Sequence, residues 1–313
     1  MELIEHYQPE FVVRFAALAA PCQCPACQNG EQGWPRISVK MKNQQRESLD
    51  MRCETAAREM LLNPQAFILH TTEGEAQSEE MLSEWSETLS QHCINLAIHP
   101  ALTPQLSLYA IGVLLSKAQQ YQDGGECDPA LIAAMGEQLA TLAEQGVLAE
   151  QFTLLPPVVE NRLAALKAMG QMRLNLNLPL AEKMGIALKL SELAIVQPTR
   201  LAERLTELEA IAANLPLFAE QPHILRNALI YQLYNDVFPG IRCANYGEAL
   251  LALAERFFRI NMLCAIRSEQ GALTADDVVL LLSALAGWQQ QNPFVGRAEH
   301  TPDHSLLCGL SLL

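Results

Sequence analysis

After residue 45 the chain repeats its apolar residues at intervals of three and four, the pattern of helices that each bury one face. Met81, Leu82, Trp85, Leu89, Cys93 and Leu96 fall on one such stripe, and Leu106, Tyr109, Ala110, Val113 and Leu114, with Leu115 beside them, form another. Gly124–Gly125, Pro156–Pro157, Pro198, Pro216, Pro222 and Pro239–Gly240 interrupt the pattern and mark connections. Pro104, Pro129 and Pro157 suit a first helical turn, and Thr103 and Asp128 precede two of them as N-caps. Thr274 followed by Asp277 reads as a capping box, with Asp where Glu is usual. The signals predict helices over 9–20, 48–69, 78–98, 104–121, 129–145, 157–175, 180–195, 199–214, 222–237 and 245–290, the last in two pieces. Strand-like alternation is confined to Arg36–Met41, one strand or a hairpin arm. Repeated helix pairs of the tetratricopeptide type would need a fixed period, and none is present. The expected fold is all-α, an irregular multi-helix body over 48–313. A small cysteine-bearing N-terminal segment over 1–47 precedes it, and its site is completed by Cys53.

Composition narrows the function classes. At 313 residues, 50% hydrophobic and 18% charged, the chain is globular, not disordered. A net charge of −14 without a lysine–arginine cluster argues against a nucleic-acid partner. No run approaches the ~18 apolar residues of a membrane span. The opening MELIEHYQPEFVVRF is too acidic for a secretory leader. Nine cysteines, five of them scattered singly (Cys93, Cys127, Cys243, Cys264 and Cys308), do not make a secreted disulfide framework. The expected compartment is a reducing cytoplasm.

Candidate chemistry concentrates in Cys22, Cys24 and Cys27, a C-x-C-x₂-C run, together with Cys53. Four soft sulfurs suit zinc or an iron–sulfur cluster over magnesium or calcium. The spacing is neither the doubled C-x₂-C of a structural zinc site nor the repeated C-x₂-C of a ferredoxin, so free thiols in a mobile segment remain the other reading. Cys22 and Cys24, two apart, would point to opposite sides of an extended chain. His92 and His99 read as surface residues more readily than as a ligand pair. His300 and His304 are four apart, but Pro302 spoils the helical face between them, and Arg297–Glu299–His300 suits local hydrogen bonding. Nucleophile-elbow, Walker and dinucleotide-binding motifs are absent. The acidic runs at 73–80 and 203–209 read as solvated faces. Tyr231, Tyr234, Phe238 and Phe257–Phe258 have core spacing.

Three segments resemble the bacterial flagellin lysine-N-methylase family. Tyr7-Gln8-Pro9-Glu10-Phe11-Val12-Val13-Arg14-Phe15, then the cysteines and Gly33-Trp34, is similar to the family's opening. Pro35-Arg36 and Ser48-Leu49-Asp50-Met51-Arg52-Cys53-Glu54-Thr55-Ala56-Ala57-Arg58 resemble its Pro-Arg and S-L-S-x-S-C-P-E-A-A-R segments. Arg226-Asn227-Ala228-Leu229 through Val237-Phe238-Pro239 is like its E-N-Y-L…F-P helix, and Glu299-His300 fits its closing E-H. The resemblance implies methylation of flagellin lysines with S-adenosylmethionine, and an iron–sulfur cluster in the region of Cys22, Cys24, Cys27 and Cys53. In this chain Trp34 runs straight into Pro35, where the family carries a further cysteine-bearing segment. Two other expectations therefore stand beside the methylase: a non-catalytic helical binding protein that retains partner recognition, and an unrelated helical interaction protein with a small zinc site.

Overall fold

A computed structural model describes residues 3–20, 22–31, 33–76, 78–156, 158–294, 296 and 300–313. The protein is predominantly helical, but a four-stranded mixed sheet corrects the all-α expectation. Strands β1 (Leu3–Pro9), β2 (Arg36–Lys40), β3 (Gln44–Leu49) and β4 (Leu69–Glu75) lie in the order β2-β3-β1-β4. β1 runs parallel to β3 and antiparallel to β4, and β2–β3 is an antiparallel hairpin. Only β2, within Arg36–Met41, carried a strand signal. β3 buries Gln44, Gln45 and Arg46, so no apolar alternation betrays it, and β4 is mostly exposed.

The helix expected over 48–69 is therefore shorter. Its first residues finish β3, α3 spans Glu54–Leu62, and the chain then turns into β4. Before it come α1 (Glu10–Ala16) and the single turn α2 (Pro25–Gln28). Helices at Val147–Thr153, Pro216–Glu220 and Pro302–Leu310 lie outside every expected span, and the other remaining helices fall within or close to theirs. In chain order the remaining helices are α4 (Glu84–Ile98), α5 (Pro104–Asp123), α6 (Pro129–Glu144), α7 (Val147–Thr153), α8 (Val159–Met169), α9 (Leu180–Ile195), α10 (Pro198–Ala213), α11 (Pro216–Glu220), α12 (His223–Asn235), α13 (Tyr246–Ser268), α14 (Ala275–Gln291) and α15 (Pro302–Leu310). Thr103 and Asp128 cap α5 and α6, and both halves of the Thr274–Asp277 capping box form at α14. Gly124–Gly125 is a helix–helix turn, in which Gly125 takes φ +74°, a conformation that favours glycine.

Two large apolar clusters share α12 and α13. One gathers α1, the cysteine region, α3, α8–α11, α14 and Cys308 of α15; the other gathers α4–α7 and Leu306 of α15. Adjacent side chains on α13 divide between them, Phe258 to the first and Phe257 to the second. Tyr231, Tyr234 and Phe238 are buried core residues, as their spacing predicts. Positions 47 and 48 both lie inside β3, so residues on either side of that point pair in one sheet.

Candidate thiol centre and adjoining cavity

Three backbone devices bring the sulfurs together. Cys24 is the N-cap of α2, and Pro25, with its fixed φ, starts the turn that carries Cys27 back beside it. The Cys24 amide donates to Cys22 Sγ at 3.4 Å, folding the C-x-C step instead of extending it. Cys53 is the N-cap of α3, where its sulfur accepts from the Ala56 amide at 3.4 Å. A thiolate is favoured at that helix end by the orphan amides and the macrodipole. The turn before it is held by Asp50, whose amide donates to the Pro35 carbonyl at 2.7 Å.

The result is four sulfurs within 4.8 Å of one another, with Cys27–Cys53 at 3.5 Å and Cys22–Cys53 at 3.7 Å. Zinc–thiolate bonds of about 2.3 Å in a tetrahedron imply sulfur separations of about 3.75 Å. The two short separations match that value, and four sulfurs within 4.8 Å are compatible with one thiophilic ion. In a four-iron cluster each thiolate binds a different iron, which spreads the sulfurs to about 6 Å; such a cluster requires these side chains to move apart.

Ionisation of the bare thiols is uneven. Burial raises Cys22, but hydrogen bonds from Thr55 (2.9 Å) and the Cys24 amide, with its neighbouring thiols, outweigh it and bring it down to about 7. Burial, then hydrogen bonding and charge from its neighbours, pushes Cys27 far above the usual thiol range. Burial and the nearby sulfurs push Cys53 up to about 12 despite the Ala56 amide. One negative charge fits readily. Further charges need a cation to offset their repulsion.

The histidines divide. His92 packs its ring on Gly136 of α6, where a Cβ would come within 2.0 Å of Nδ1, and His99 sits 4.0 Å from Glu144. They do not converge. His300, His304 and Cys308 do bring one ligand atom each within 4.8 Å, because Thr301 caps α15 and Pro302 starts it without disturbing the face. Arg297 and Glu299 lie outside the described residues.

A cavity of about 520 Å³ is walled by the Asp50–Arg52 turn, which leads into Cys53, and by α12, α13 and α14. Arg52 is fixed over the Trp34 ring and forks both oxygens of Asp50 at 2.5–2.9 Å. Tyr231 donates its hydroxyl to the Leu49 carbonyl at 3.1 Å and accepts from the Met51 amide at 3.4 Å, tying α12 to the turn that presents Cys53. The resemblance had marked the Ser48–Arg58 and Arg226–Pro239 segments, and they meet here. Arg256, from α13, carried no sequence signal, because it lies on a helix whose periodicity reads only as core.

Fold and centre define a helical protein with a four-thiol centre and a ligand-sized cavity, joined through the turn that leads into Cys53. Residues 90–299, about two thirds of the chain, match the FliB lysine N-methylase C-terminal domain, and the chain belongs to that family. It is 22% identical over 279 residues to the lysine-N-methylases of Salmonella choleraesuis strain SC-B67 and Salmonella typhimurium strain LT2, covering 85% of this chain and 69% of each relative. No solved structure matches. Among the described residues no helix is long and apolar enough to cross a membrane.

Proposed function

We propose that the protein is a lysine N-methylase acting on flagellin with S-adenosylmethionine, and that Cys22, Cys24, Cys27 and Cys53 hold a metal. The observation that carries the reading is the family match across 90–299, joined by two curated relatives named for lysine methylation. The donor supplies a methyl group on a sulfonium. The lysine Nζ lone pair forms the new N–C bond, the donor sulfur keeps the electron pair of the broken S–C bond, and the ammonium proton leaves to solvent. An acidic surface, net charge −14, favours encounter with exposed lysines. All nine cysteines are free thiols, which suits a reducing cytoplasm.

The sulfur spacing favours a single tetrahedral ion, zinc or iron, over a cluster, and such an ion would staple α2 to the β3–α3 turn. Anaerobic purification with metal and sulfide analysis tests this: one metal without sulfide is expected, and several irons with matching sulfide would establish the cluster. Cys27→Ser combined with Cys53→Ser should abolish metal binding and keep most of the helical circular dichroism.

Mass spectrometry of flagellin lysines after incubation with the protein, S-adenosylmethionine and reductant tests the activity. Methyl-mass additions that disappear in Cys53→Ser are expected. The direct Trp34–Pro35 junction favours one other reading, a binding protein without chemistry. Flagellin bound by metal-loaded protein with no lysine modified would establish it.

A further inference from the structure

The cavity walled by the Asp50–Arg52 turn contains polar groups whose hydrogen bonds are unspent. Gln232 on α12 is 9% exposed, and its amide has no partner among the described residues. Asn235 donates through Nδ2 to Asp236 at 3.1 Å, but its Oδ1 is buried without a partner. Arg256 reaches the same space from α13, and among the described residues its one ion pair is Asp236 at 4.0 Å, too long for a hydrogen bond. The other two arginines of the lining are committed, Arg52 to Asp50 and Arg259 to Glu255 at 2.5 Å and the Trp288 ring. Burial disfavours the Arg256 charge, so an anion beside it would be stabilising. Groups left unsatisfied next to open space are the usual mark of a ligand surface.

The wall that carries them is held under strain. Val237 takes φ +47°, a region β-branched residues rarely enter, directly after Asn235–Asp236 and before Phe238 of the lining. The apolar part of the lining includes Phe238, Phe294 and the short side chains of Ala249 and Ala252, which leave room for a flat ring.

We propose that this cavity is the methyl-donor site, with Arg256 taking the donor's carboxylate, Asp236 its cationic amino-acid end, and Asn235 with Gln232 the hydrogen-bonding edge of its nucleobase. The proposal rests on the methylase reading and adds the location. A volume of about 520 Å³ lies within the range of pockets that enclose molecules of this size. The acceptor lysine is a poorer occupant, because its side chain brings no carboxylate for Arg256 and no ring for the apolar lining. Arg52 adjoins Cys53 in the chain, so the donor would sit against the turn that the thiol centre holds.

Calorimetry with S-adenosylhomocysteine, the unreactive product, and with 5′-methylthioadenosine, which lacks the amino-acid end, tests it on the metal-loaded full chain. The wild-type protein should bind S-adenosylhomocysteine at least tenfold more tightly than methylthioadenosine. Arg256→Gln should collapse that preference toward unity while leaving methylthioadenosine binding nearly intact, a pattern that general loosening of the fold would not give. Asn235→Leu should weaken both ligands together, and Arg200→Ala on the distant α10 should change neither. Undiminished preference in Arg256→Gln, with wild-type binding and flagellin methylation present, would place the donor elsewhere and overturn the proposal while the methylase reading stands. Failure of the wild-type protein both to bind S-adenosylhomocysteine and to methylate flagellin would remove the reading and the proposal together.

Discussion

Cys22 and Cys53 have the same side chain and pKa values shifted in opposite directions, and local hydrogen bonding separates them. Cys22 receives Thr55 and a backbone amide and ionises near 7, whereas burial among other sulfurs holds Cys53 up to about 12. The thiolate is the nucleophile. In metal-free protein, Cys22 should therefore alkylate first, its rate rising as pH increases through about 7, with Cys53 unreactive until strongly alkaline pH. Peptide mapping after timed iodoacetamide exposure measures this, and equal labelling of Cys22 and Cys53 at neutral pH would contradict it. Bound metal should protect both. The identity of the four cysteines was legible from their soft chemistry and proximity in sequence. Their convergence was not, because it depends on Cys24 capping a single helical turn and on Cys53 capping another helix, 26 residues from Cys27.

Helices were legible where their ends and faces carried independent signals. Thr103, Asp128 and the Thr274–Asp277 box stand where sequence alone puts them, because a cap is a local hydrogen bond between near neighbours. The strands lacked such signals. β3 reads as Gln-Gln-Arg-Glu-Ser-Leu, and its burial comes from neighbouring strands, not from its own apolarity. How helices are tied to one another was equally hidden. Glu269, at the C-terminal end of α13, accepts Arg204 of α10 through two contacts of 2.6 Å and Lys189 of α9 at 2.7 Å. The Arg204 hydrogen bonds, against opposition from burial and with help from Lys189, hold its carboxyl below the usual range. A carboxyl depressed in the folded state adds stability above its unfolded pKa and loses it as pH falls through the folded value. Glu269→Gln should thus cost about 1 kcal/mol at neutral pH and low salt, discounted for solvent screening. The difference from wild type should vanish in acid, below the ordinary carboxylate range. Urea melts at neutral and acidic pH decide it; a penalty that persists in acid would assign the effect to packing.

Across the whole molecule, the N-terminal residues and the helical body share their core. Phe11, Val12, Cys24 and Cys53 lie in one cluster with Leu208 of α10, Phe258 of α13 and Leu282 of α14. A fragment of residues 48–313 would lose β1, β2 and most of β3, leaving β4 without its partner and α3 without α1. It should lose cooperative thermal unfolding and tend to aggregate through the exposed edge and core face. A sharp wild-type-like transition in that fragment would show instead that the helical body folds alone. The sequence determined the helical body, the caps, the acid surface, the family and the four sulfurs, since each of these is written in short-range pattern, composition or motif. Tertiary structure alone decided the mixed sheet, the convergence of the four thiols and the cavity holding Gln232, Asn235 and Arg256. These arise from pairings between residues distant in the chain, and such contacts leave no period in the sequence.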